Sequence, residues 1–160
     1  MLQTTVETVV AQARAAQTQF ETASQQVVDE LIIGLAWAII EPETNRSLAE
    51  QAVLETGLGN VEDKMIKNHR KTLGLLRDLK NAVSCGIIKE LPEQGLVEIA
   101  RPVGVVGAVT PSTNPIATPL NKTLNALKGR NSIILAPSPK GEAVCQRVVD
   151  LLQNILRRSG

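Results

Sequence analysis

Aromatic residues are nearly absent from this 160-residue chain, which contains one Trp, one Phe and no Tyr. Aromatic side chains form the stacking platforms of single-stranded nucleic-acid sites, so their scarcity argues against such a function. An excess of one charge is missing too, since 17 basic residues against 16 acidic ones leave a formal net charge of +1. A basic surface that could hold a phosphate backbone is therefore not expected, and we predict no nucleic-acid partner.

Cysteines and long apolar runs are also scarce. Cys85 and Cys145 have only His69 as a further soft metal ligand, so we expect neither a disulfide framework nor a metal site. Neither cysteine has a neighbouring base, and we interpret both as bystanders rather than nucleophiles. The longest apolar stretch, residues 31–40, is too short for a membrane span, which needs about 20 residues. The start of the chain does not resemble a secretory signal, so we predict a cytoplasmic protein with no membrane association.

Apolar residues make up 43% of the chain, enough for a core, and in the first half they recur at helical spacing. A capping box at Thr22 and Gln25 is predicted to open a second helix, and proline after Glu41 is predicted to end it. A third helix is predicted from Thr44 to Glu55, and a fourth after an Asn60 N-cap. The predicted buried faces are Val6, Val9, Val10, Ala13 and Phe20 on the first helix, Val28, Leu31, Ile32, Leu35 and Ile39 on the second, and Met65, Ile66, Leu73, Leu76 and Leu79 on the fourth.

The second half alternates between strand and helix patterns. Residues 86–101 predict a β-hairpin with Pro92 and Gly95 in its turn. Residues 103–109 predict a strand buried on both faces, residues 132–136 predict a second one, and each precedes a helical pattern. The fold class is therefore α/β: a helical amino-terminal segment (1–85), a hairpin (86–101), and the first strand-helix-strand-helix of an incomplete doubly wound, Rossmann-like parallel sheet (102–160). Two strands leave bare edges, so we expect further sequence or another chain to complete the sheet.

Ligands of open α/β sheets bind beyond the carboxyl ends of the strands, which directs attention to residues 110–115 and 136–141. The first loop is polar enough to contact a ligand, although any strand-to-helix turn favours the same residues. In the second loop, Ser138 is predicted to cap a helix that starts at Pro139. We expect any contact of this loop with a cofactor to be to its ribose or adenine. Gly104 and Gly107 lie within the predicted strand and lack the third glycine of a dinucleotide fingerprint, so we interpret them as allowing close packing.

Three segments carry a specific resemblance to a known family. Residues 55–69 (ETGLGNVEDKMIKNH), residues 101–115 (RPVGVVGAVTPSTNP) and residues 128–139 (KGRNSIILAPSP), with Lys122 between them, closely resemble CoA-acylating aldehyde dehydrogenases. These include the aldehyde-dehydrogenase half of bifunctional aldehyde-alcohol dehydrogenases, and the second loop is most similar to the sulfoacetaldehyde or short-chain branch. The resemblance implies oxidation of a small aldehyde with NAD or NADP and transfer of the acyl group to coenzyme A, or the reverse, in a homo-oligomer to which the hairpin contributes contacts.

The same resemblance assigns roles to the two loops. Asn114 is expected to hold the oxygen that becomes an oxyanion. At the end of the second strand the wider superfamily often has a lysine for the adenosine ribose, whereas this sequence has Ala136. The resemblance therefore leaves the choice between NAD and NADP open. The cofactor edge implied by the resemblance consists of Val109, Thr110, Pro111, Ser112, Thr113, Ala136, Pro137, Ser138 and Pro139. The nucleophilic cysteine and the catalytic domain are expected beyond Gly160, so we predict that the segment alone is inactive. The alternatives are a nucleotide-binding module and a non-catalytic interaction protein.

Overall fold

The computed structural model describes residues 5–158, in which helices come first and a strand-helix alternation follows. The helices are α1 (Val6–Phe20), α2 (Gln25–Ile40), α3 (Pro42–Thr56) and α4 (Val61–Leu79). A hairpin of β1 (Gly86–Leu91) and β2 (Leu96–Ala100) follows, and the chain continues as β3 (Val105–Thr110), α5 (Ala117–Lys128), β4 (Ser132–Pro137) and α6 (Glu142–Arg158). This order confirms the predicted fold class. Residues 1–4, which belong to the start interpreted as lacking a secretory signal, and residues 159–160 lie outside the described part.

The hydrophobic core is shared between the helical segment and the sheet unit. The apolar face predicted for α2 is confirmed, with Val28, Ile32, Leu35 and Ile39 at 0–3% exposure. The core cluster consists of Ile32, Leu35, Ala36, Ile39, Leu48, Ala52, Ile116, Leu120, Leu124, Leu127, Val144, Val148 and Leu152. Its members come from α2, α3, α5 and α6, so these elements pack as one body. Among residues 5–158, no helix combines the length and apolar content that a bilayer crossing requires.

The junction between α2 and α3 depends on one carboxylate. Glu41 ends α2, and its side chain accepts hydrogen bonds from the amides of Glu43 at 3.2 Å and Thr44 at 2.9 Å. These bonds lower the pKa of Glu41. The predicted break is confirmed, and α3 starts at Pro42, slightly earlier than predicted, because proline suits the first turn of a helix.

At the amino-terminal helices one prediction is wrong and one holds in part. Ser24, not Thr22, caps α2, and its hydroxyl accepts a hydrogen bond from the amide of Val27 at 3.2 Å. On the predicted face of α1, four residues are half-buried, but Val6 is 80% exposed and the fully buried residue of this helix is Gln17. A polar residue takes that position because backbone groups of the sheet unit, described below, need a hydrogen-bond partner there.

The predicted buried face of α4 is confirmed only in part. The residues that face inward are Lys64, Asn68 and Thr72, whereas Ile66 and Leu73 are 55% and 43% exposed. Leu76 and Leu79, from the predicted stripe, are partly buried against the core. The amino-terminal half of α4 therefore packs through polar rather than apolar side chains.

An amide pair explains this polar packing. The Asn68 amide donates to Oδ1 of Asn45 on α3 at 2.9 Å, and the Asn45 amide donates to the carbonyl of Met65 at 3.1 Å. Buried amides are stable only when they are hydrogen-bonded, and here Asn45 satisfies the Asn68 amide while the backbone of α4 satisfies the Asn45 amide. The predicted Asn60 cap of α4 is confirmed, since its side chain accepts from the amide of Asp63 at 2.9 Å.

The sheet unit consists of β3 and β4, which pair in parallel from Val105↔Ser132 to Thr110↔Pro137. Ala108 and Thr110 are buried, but Val103 and Val109 are 85% and 80% exposed. The prediction of a strand buried on both faces is therefore wrong for residues 5–158. The reason is that a sheet of two strands leaves one of its faces without a covering element at Val109.

The glycines around β3 do not allow close packing, contrary to the prediction. A Cβ at Gly104 or Gly107 would meet nothing within 4 Å. Gly104 precedes the strand and has a φ of +109°, which side chains other than glycine rarely adopt. Its role is to shape the backbone before the strand begins.

Asn131 joins the two ends of the unit. Its Oδ1 accepts hydrogen bonds from the amides of Val103 at 2.7 Å and Gly104 at 3.0 Å. Its Nδ2 donates to the carbonyls of Ala126 at 3.3 Å and Gly129 at 3.1 Å. One side chain therefore satisfies four backbone groups and fixes the start of β3 against the end of α5.

Gln17 and Arg130 connect α1 to the sheet unit and the hairpin. The Gln17 amide donates to the carbonyl of Arg130 at 2.9 Å, and its oxygen accepts from the amide of Ser132 at 2.6 Å. The Arg130 guanidinium donates to the carbonyls of Glu21 at 2.8 Å and Ala100 at 2.9 Å. Arg130 has a φ of +56°, so these bonds hold a residue in a conformation uncommon outside glycine.

A partly buried ion pair links α2 to α5. The Lys128 side chain is 4% exposed and its ammonium bonds to the carboxylate of Asp29, which also accepts from the amide of Gln25 at 3.0 and 3.1 Å. The Gln25 oxygen in turn accepts from the amides of Ser84 at 2.8 Å and Cys85 at 3.2 Å. This network fixes the point at which the chain enters the hairpin.

Candidate functional site

The two loops predicted to form the site lie side by side. Val109 is in register with Ala136 and Thr110 with Pro137, so both strands end at the same edge. The amide of Ser138 donates to the carbonyl of Thr110 at 2.9 Å, which continues the pairing one step beyond the strands. The edge that β3 and β4 present is thus a single surface.

The side chains at this edge face in two directions. Val109 and Ala136 are neighbours in register and both are exposed, so they form a small apolar step on the open face. Pro137 and Ser138 are half-buried beside it and Pro139 is exposed. Thr110 is 2% exposed and its hydroxyl bonds to the thiol of Cys145 on α6, so this side chain faces the core rather than solvent.

Neither cysteine has the environment of a nucleophile. Burial raises the pKa of the Cys145 thiol; the hydrogen bond from Thr110 opposes that rise, and the nearby charge of Glu55 adds to it. Cys85 is half-buried next to the hairpin, and its free thiol lies 3.9 Å from the hydroxyl of Ser84. A thiol reacts as the thiolate, so a raised pKa makes Cys145 inert at neutral pH.

Asn114 stands out in the first loop because its side chain is uncommitted. Its backbone carbonyl accepts from the amide of Thr118 at 3.3 Å at the entry to α5, which fixes its position. Its side-chain amide is half-buried and has no hydrogen bond within residues 5–158. Pro111 and Thr113 are exposed and Ser112 is half-buried. A fixed residue with an unused N–H donor can stabilise an oxygen on which negative charge develops.

The second loop differs from its prediction. Ser138 does not cap a helix and Pro139 does not begin one, since α6 starts at Glu142. The chain first turns through Gly141, whose φ is +125°. Helix geometry cannot continue through that conformation, and this postpones the start of α6.

Glu55, at the end of α3, takes the capping role instead. Its carboxylate accepts from the amides of Ala143 at 2.8 Å and Val144 at 2.9 Å. The positive end of a helix is a common phosphate site in nucleotide-binding folds, and here a carboxylate occupies it. Sequence reasoning missed Glu55 because its partners are 88 and 89 residues away and no local pattern marks the contact.

Three segments meet beside Asn114. A Cβ built on Gly141 would lie 3.0 Å from Cβ of Pro115 and 3.7 Å from Cγ2 of Thr56. The end of α3, the loop after β3 and the loop after β4 therefore touch at Gly141. This contact places the glycine-rich turn after α3 beside the candidate site.

Lys122 lies elsewhere. It lines a cavity of about 380 Å³ with Asn125, Asn131 and the middle of β3 at Val106 and Gly107, away from the carboxyl edge. His69 is exposed on α4, in agreement with a solvated basic face. The described residues hold no group of His, Cys, Asp and Glu that could bind a metal ion.

Sequence comparison identifies the relatives of this chain. Residues 2–156 match the aldehyde dehydrogenase family. The chain is 57% identical over 155 residues to sulfoacetaldehyde dehydrogenase (acylating) from Cupriavidus necator, an alignment that covers 97% of this chain and 31% of that protein. The chain therefore spans about a third of its relative's length.

Solved structures agree with this assignment. An acetylating aldehyde dehydrogenase from Geobacillus thermoglucosidasius superimposes with a TM-score of 0.91 at 36% identity, covering 97% of this chain and 34% of that one. Propionaldehyde dehydrogenase from Rhodopseudomonas palustris with bound propionyl-CoA gives 0.82 at 26% identity, covering 98% and 34%. An engineered glycolyl-CoA reductase with bound NADP+ gives 0.79 at 26% identity, covering 98% and 35%. By sequence and by fold, the chain belongs to the aldehyde dehydrogenase family and corresponds to the amino-terminal part of its acylating members.

Proposed function

We propose that this chain is the amino-terminal portion of an enzyme that converts an aldehyde, CoA and NAD(P)+ into an acyl-CoA and NAD(P)H, or catalyses the reverse. The observation that carries the proposal is the uncommitted Asn114 amide, positioned where the loops after β3 and β4 meet. The similarity of the chain to acylating aldehyde dehydrogenases supports the class of reaction. The first relative acts, by its name, on sulfoacetaldehyde, and we infer a short aldehyde with an acidic group for this enzyme.

The cofactor edge in this proposal is the open surface at the ends of β3 and β4. Val109 and Ala136 provide an apolar step for a flat ring, and the loops carrying Pro111, Ser112, Thr113, Pro137, Ser138 and Pro139 flank it. Thr110 contributes through its backbone position, because its hydroxyl is buried. NAD(P)+, when bound, accepts the hydride that the aldehyde carbon releases. Glu55 occupies the amino terminus of α6, so we place ribose or adenine at this edge and the phosphates elsewhere.

Asn114 acts on the aldehyde oxygen. When a thiolate attacks the carbonyl carbon, the oxygen gains negative charge, and a side-chain N–H held in place lowers the energy of that state. Cys145 is buried with a raised pKa, so we place the nucleophile in the remaining two thirds of the enzyme. We therefore propose that the segment alone does not turn over, and that the enzyme acts in the cytoplasm.

The hairpin supports a second part of the proposal, that the enzyme is a homo-oligomer. Both faces of this ribbon are open, with Ile87, Ile88, Leu96, Val97 and Ile99 each about half exposed. Within residues 5–158, β1 and β2 pair only with each other. A two-stranded ribbon is marginal in water without a surface to cover it, and a second copy of the chain supplies one.

Asn114→Ala in the complete enzyme tests the catalytic role. Loss of one oxyanion donor is expected to lower kcat by about 10²–10³ with little change in KM for the cofactor. Asn154→Ala is the matched control, because Asn154 is an exposed asparagine on α6 without a side-chain hydrogen bond among the described residues. An unchanged kcat in Asn114→Ala would contradict the role, and aldehyde- and CoA-dependent NAD(P)H production by the isolated chain would contradict its inactivity.

A further inference from the structure

Lys64 is a buried cation without a counter-ion. It is 5% exposed, and its side chain makes no hydrogen bond or ion pair within residues 5–158. The ammonium nitrogen of Lys64 is not completely shielded from solvent. Its stem is thus buried while its ammonium retains access to open space. A buried charge is costly unless it is paired, so this arrangement indicates a missing partner.

The surroundings of Lys64 favour an anion. Burial and the neighbouring charge of Lys67 both lower the pKa of Lys64. The two acidic residues nearby are engaged elsewhere: Glu62 pairs with Arg46 at 3.2 Å, and Asp63 accepts from the Asn60 amide at 2.7 Å. Lys64 also lies in the first turns of α4, where the positive end of the helix adds to the same potential.

The Lys64 side chain packs along the glycine turn before α4. The Lys64 Cε lies 3.9 Å from a Cβ built on Gly59, so the side chain extends along the turn between α3 and α4. The turn begins at Thr56, whose methyl group lies beside Gly141 in the junction with the Asn114 loop. Gly59 has a φ of +71°, and its exposed amide has no hydrogen-bond partner among the described residues. The Lys64 side chain and a free N–H therefore lie at the same turn, which is continuous in sequence with the residue that contacts Gly141.

We propose that Lys64, with the amide of Gly59, binds a sulfonate or phosphate oxyanion beside the catalytic edge. This inference rests on the proposed function for the source of the anion, which is either the acidic group of the aldehyde or a phosphate of CoA. Tetrahedral oxyanions accept several hydrogen bonds at once, and a bound one neutralises the buried ammonium. Among residues 5–158, no other charged side chain is both nine-tenths buried and without a hydrogen-bond or ion-pair partner.

Lys64→Met in the complete enzyme tests the proposal, because methionine keeps the apolar stem and removes the charge. Lys67→Met, one helical turn further along α4, is the control. We expect KM to rise about tenfold or more in Lys64→Met for the substrate that carries the anion, with kcat changed little. In Lys67→Met, which removes a neighbouring charge but not the proposed ligand, we expect a much smaller change in KM. Sulfoacetaldehyde is compared with neutral propionaldehyde, and CoA with pantetheine, which lacks the phosphates.

The pattern of KM changes identifies the anion. A rise for sulfoacetaldehyde but not propionaldehyde assigns the site to the aldehyde, and a rise for CoA but not pantetheine assigns it to CoA. Unchanged KM values, or equal losses with the neutral substrates, would overturn the proposal.

A thermal-unfolding assay makes the test independent of turnover. Inorganic phosphate and methanesulfonate are expected to raise the Tm of the wild-type enzyme and of Lys67→Met by a few degrees, and to leave Lys64→Met unchanged. Stabilisation that persists in Lys64→Met would overturn the site. Since this assay needs no catalysis, it stands even if the proposed reaction fails.

Discussion

The carboxylate of Glu55 accepts a hydrogen bond from the backbone amide of Ala143 at 2.8 Å and thereby caps α6 from the end of α3. Because the same carboxylate also accepts from Val144, Glu55→Ala leaves two amides of the first turn without protein partners. We expect a loss of about 1–2 kcal/mol in the free energy of unfolding, measured by urea denaturation. Glu50→Ala, an exposed carboxylate on the same helix, is the control and should stay within about 0.5 kcal/mol. Equal stability of the two variants would contradict the capping role.

Gly141→Ala is expected to strain the contact between the two site loops. The new Cβ would lie 3.0 Å from Cβ of Pro115 on a residue with a φ of +125°, so both the contact and the backbone resist it. We predict a loss of about 1–3 kcal/mol in the free energy of unfolding, with a lower kcat in the complete enzyme because Asn114 adjoins Pro115. Gly74→Ala is the matched control, since its Cβ meets nothing within 4 Å inside a helix, where alanine stabilises by up to about 1 kcal/mol. A neutral Gly141→Ala would show that the junction is loose.

Asn131→Ala removes one side chain that bonds to four backbone groups. The amides of Val103 and Gly104 would lose their acceptor, and we expect a loss of about 2–4 kcal/mol in the free energy of unfolding, measured by urea denaturation. Asn125→Ala, an exposed asparagine inside α5, should be neutral or slightly stabilising because alanine is the better helix former. The interpretation fails if Asn131→Ala unfolds at the same urea concentration as Asn125→Ala.

Glu41 predicts an acid dependence of stability. Hydrogen bonds from the amides of Thr44 and Glu43 hold the pKa of Glu41 below its usual value of 4.5. A lowered pKa in the folded state contributes stability that is present above pH 4.5 and is lost as the pH falls through the folded-state value. Glu41→Gln should therefore unfold with a flatter pH dependence below pH 4.5, measured by thermal unfolding at several pH values. Glu50→Gln, whose carboxylate has no backbone hydrogen bond, should keep the wild-type slope.

The two cysteines should differ in reactivity. Burial raises the pKa of the Cys145 thiol, so the thiolate is scarce below pH 9 and is shielded from reagent. In the native protein at pH 8, we expect a disulfide reagent such as DTNB to label Cys85 first and Cys145 only on unfolding. Cys85→Ser isolates the Cys145 signal. Rapid native labelling of Cys85→Ser would show that Cys145 is accessible.

Local periodicity was sufficient to predict much of the fold. The face of α2, its end at Glu41, and the hairpin turn at Pro92 and Gly95 were all predicted because each depends on residues close in sequence. The buried side of α4 was not predicted in full, because Asn68 bonds to Asn45 on another helix. The spacing of apolar residues cannot predict a hydrogen bond between two amide side chains.

The same distinction applies to the candidate site. Parallel strands place their carboxyl ends together, so the adjacency of Thr110 and Ser138 followed from the predicted topology. The start of α6 could not be predicted from Ser138 and Pro139, because the cap comes from Glu55 on α3. Lys64 was overlooked for a related reason: a lysine next to Glu62 and Asp63 has the pattern of a solvated surface, whereas in the folded chain it is 5% exposed.

The pairing of Asp29 with Lys128 joins residues 99 positions apart, and Gln17 bonds to backbone groups 113 and 115 positions away. During synthesis the ribosome releases the amino end first, so α1 and α2 emerge with these polar groups still lacking their partners. Their native packing must wait until α5 and the start of β4 have left the exit tunnel. A nascent chain arrested before Lys128 should therefore remain sensitive to protease throughout its helices, and protection should appear in one step once β4 is available.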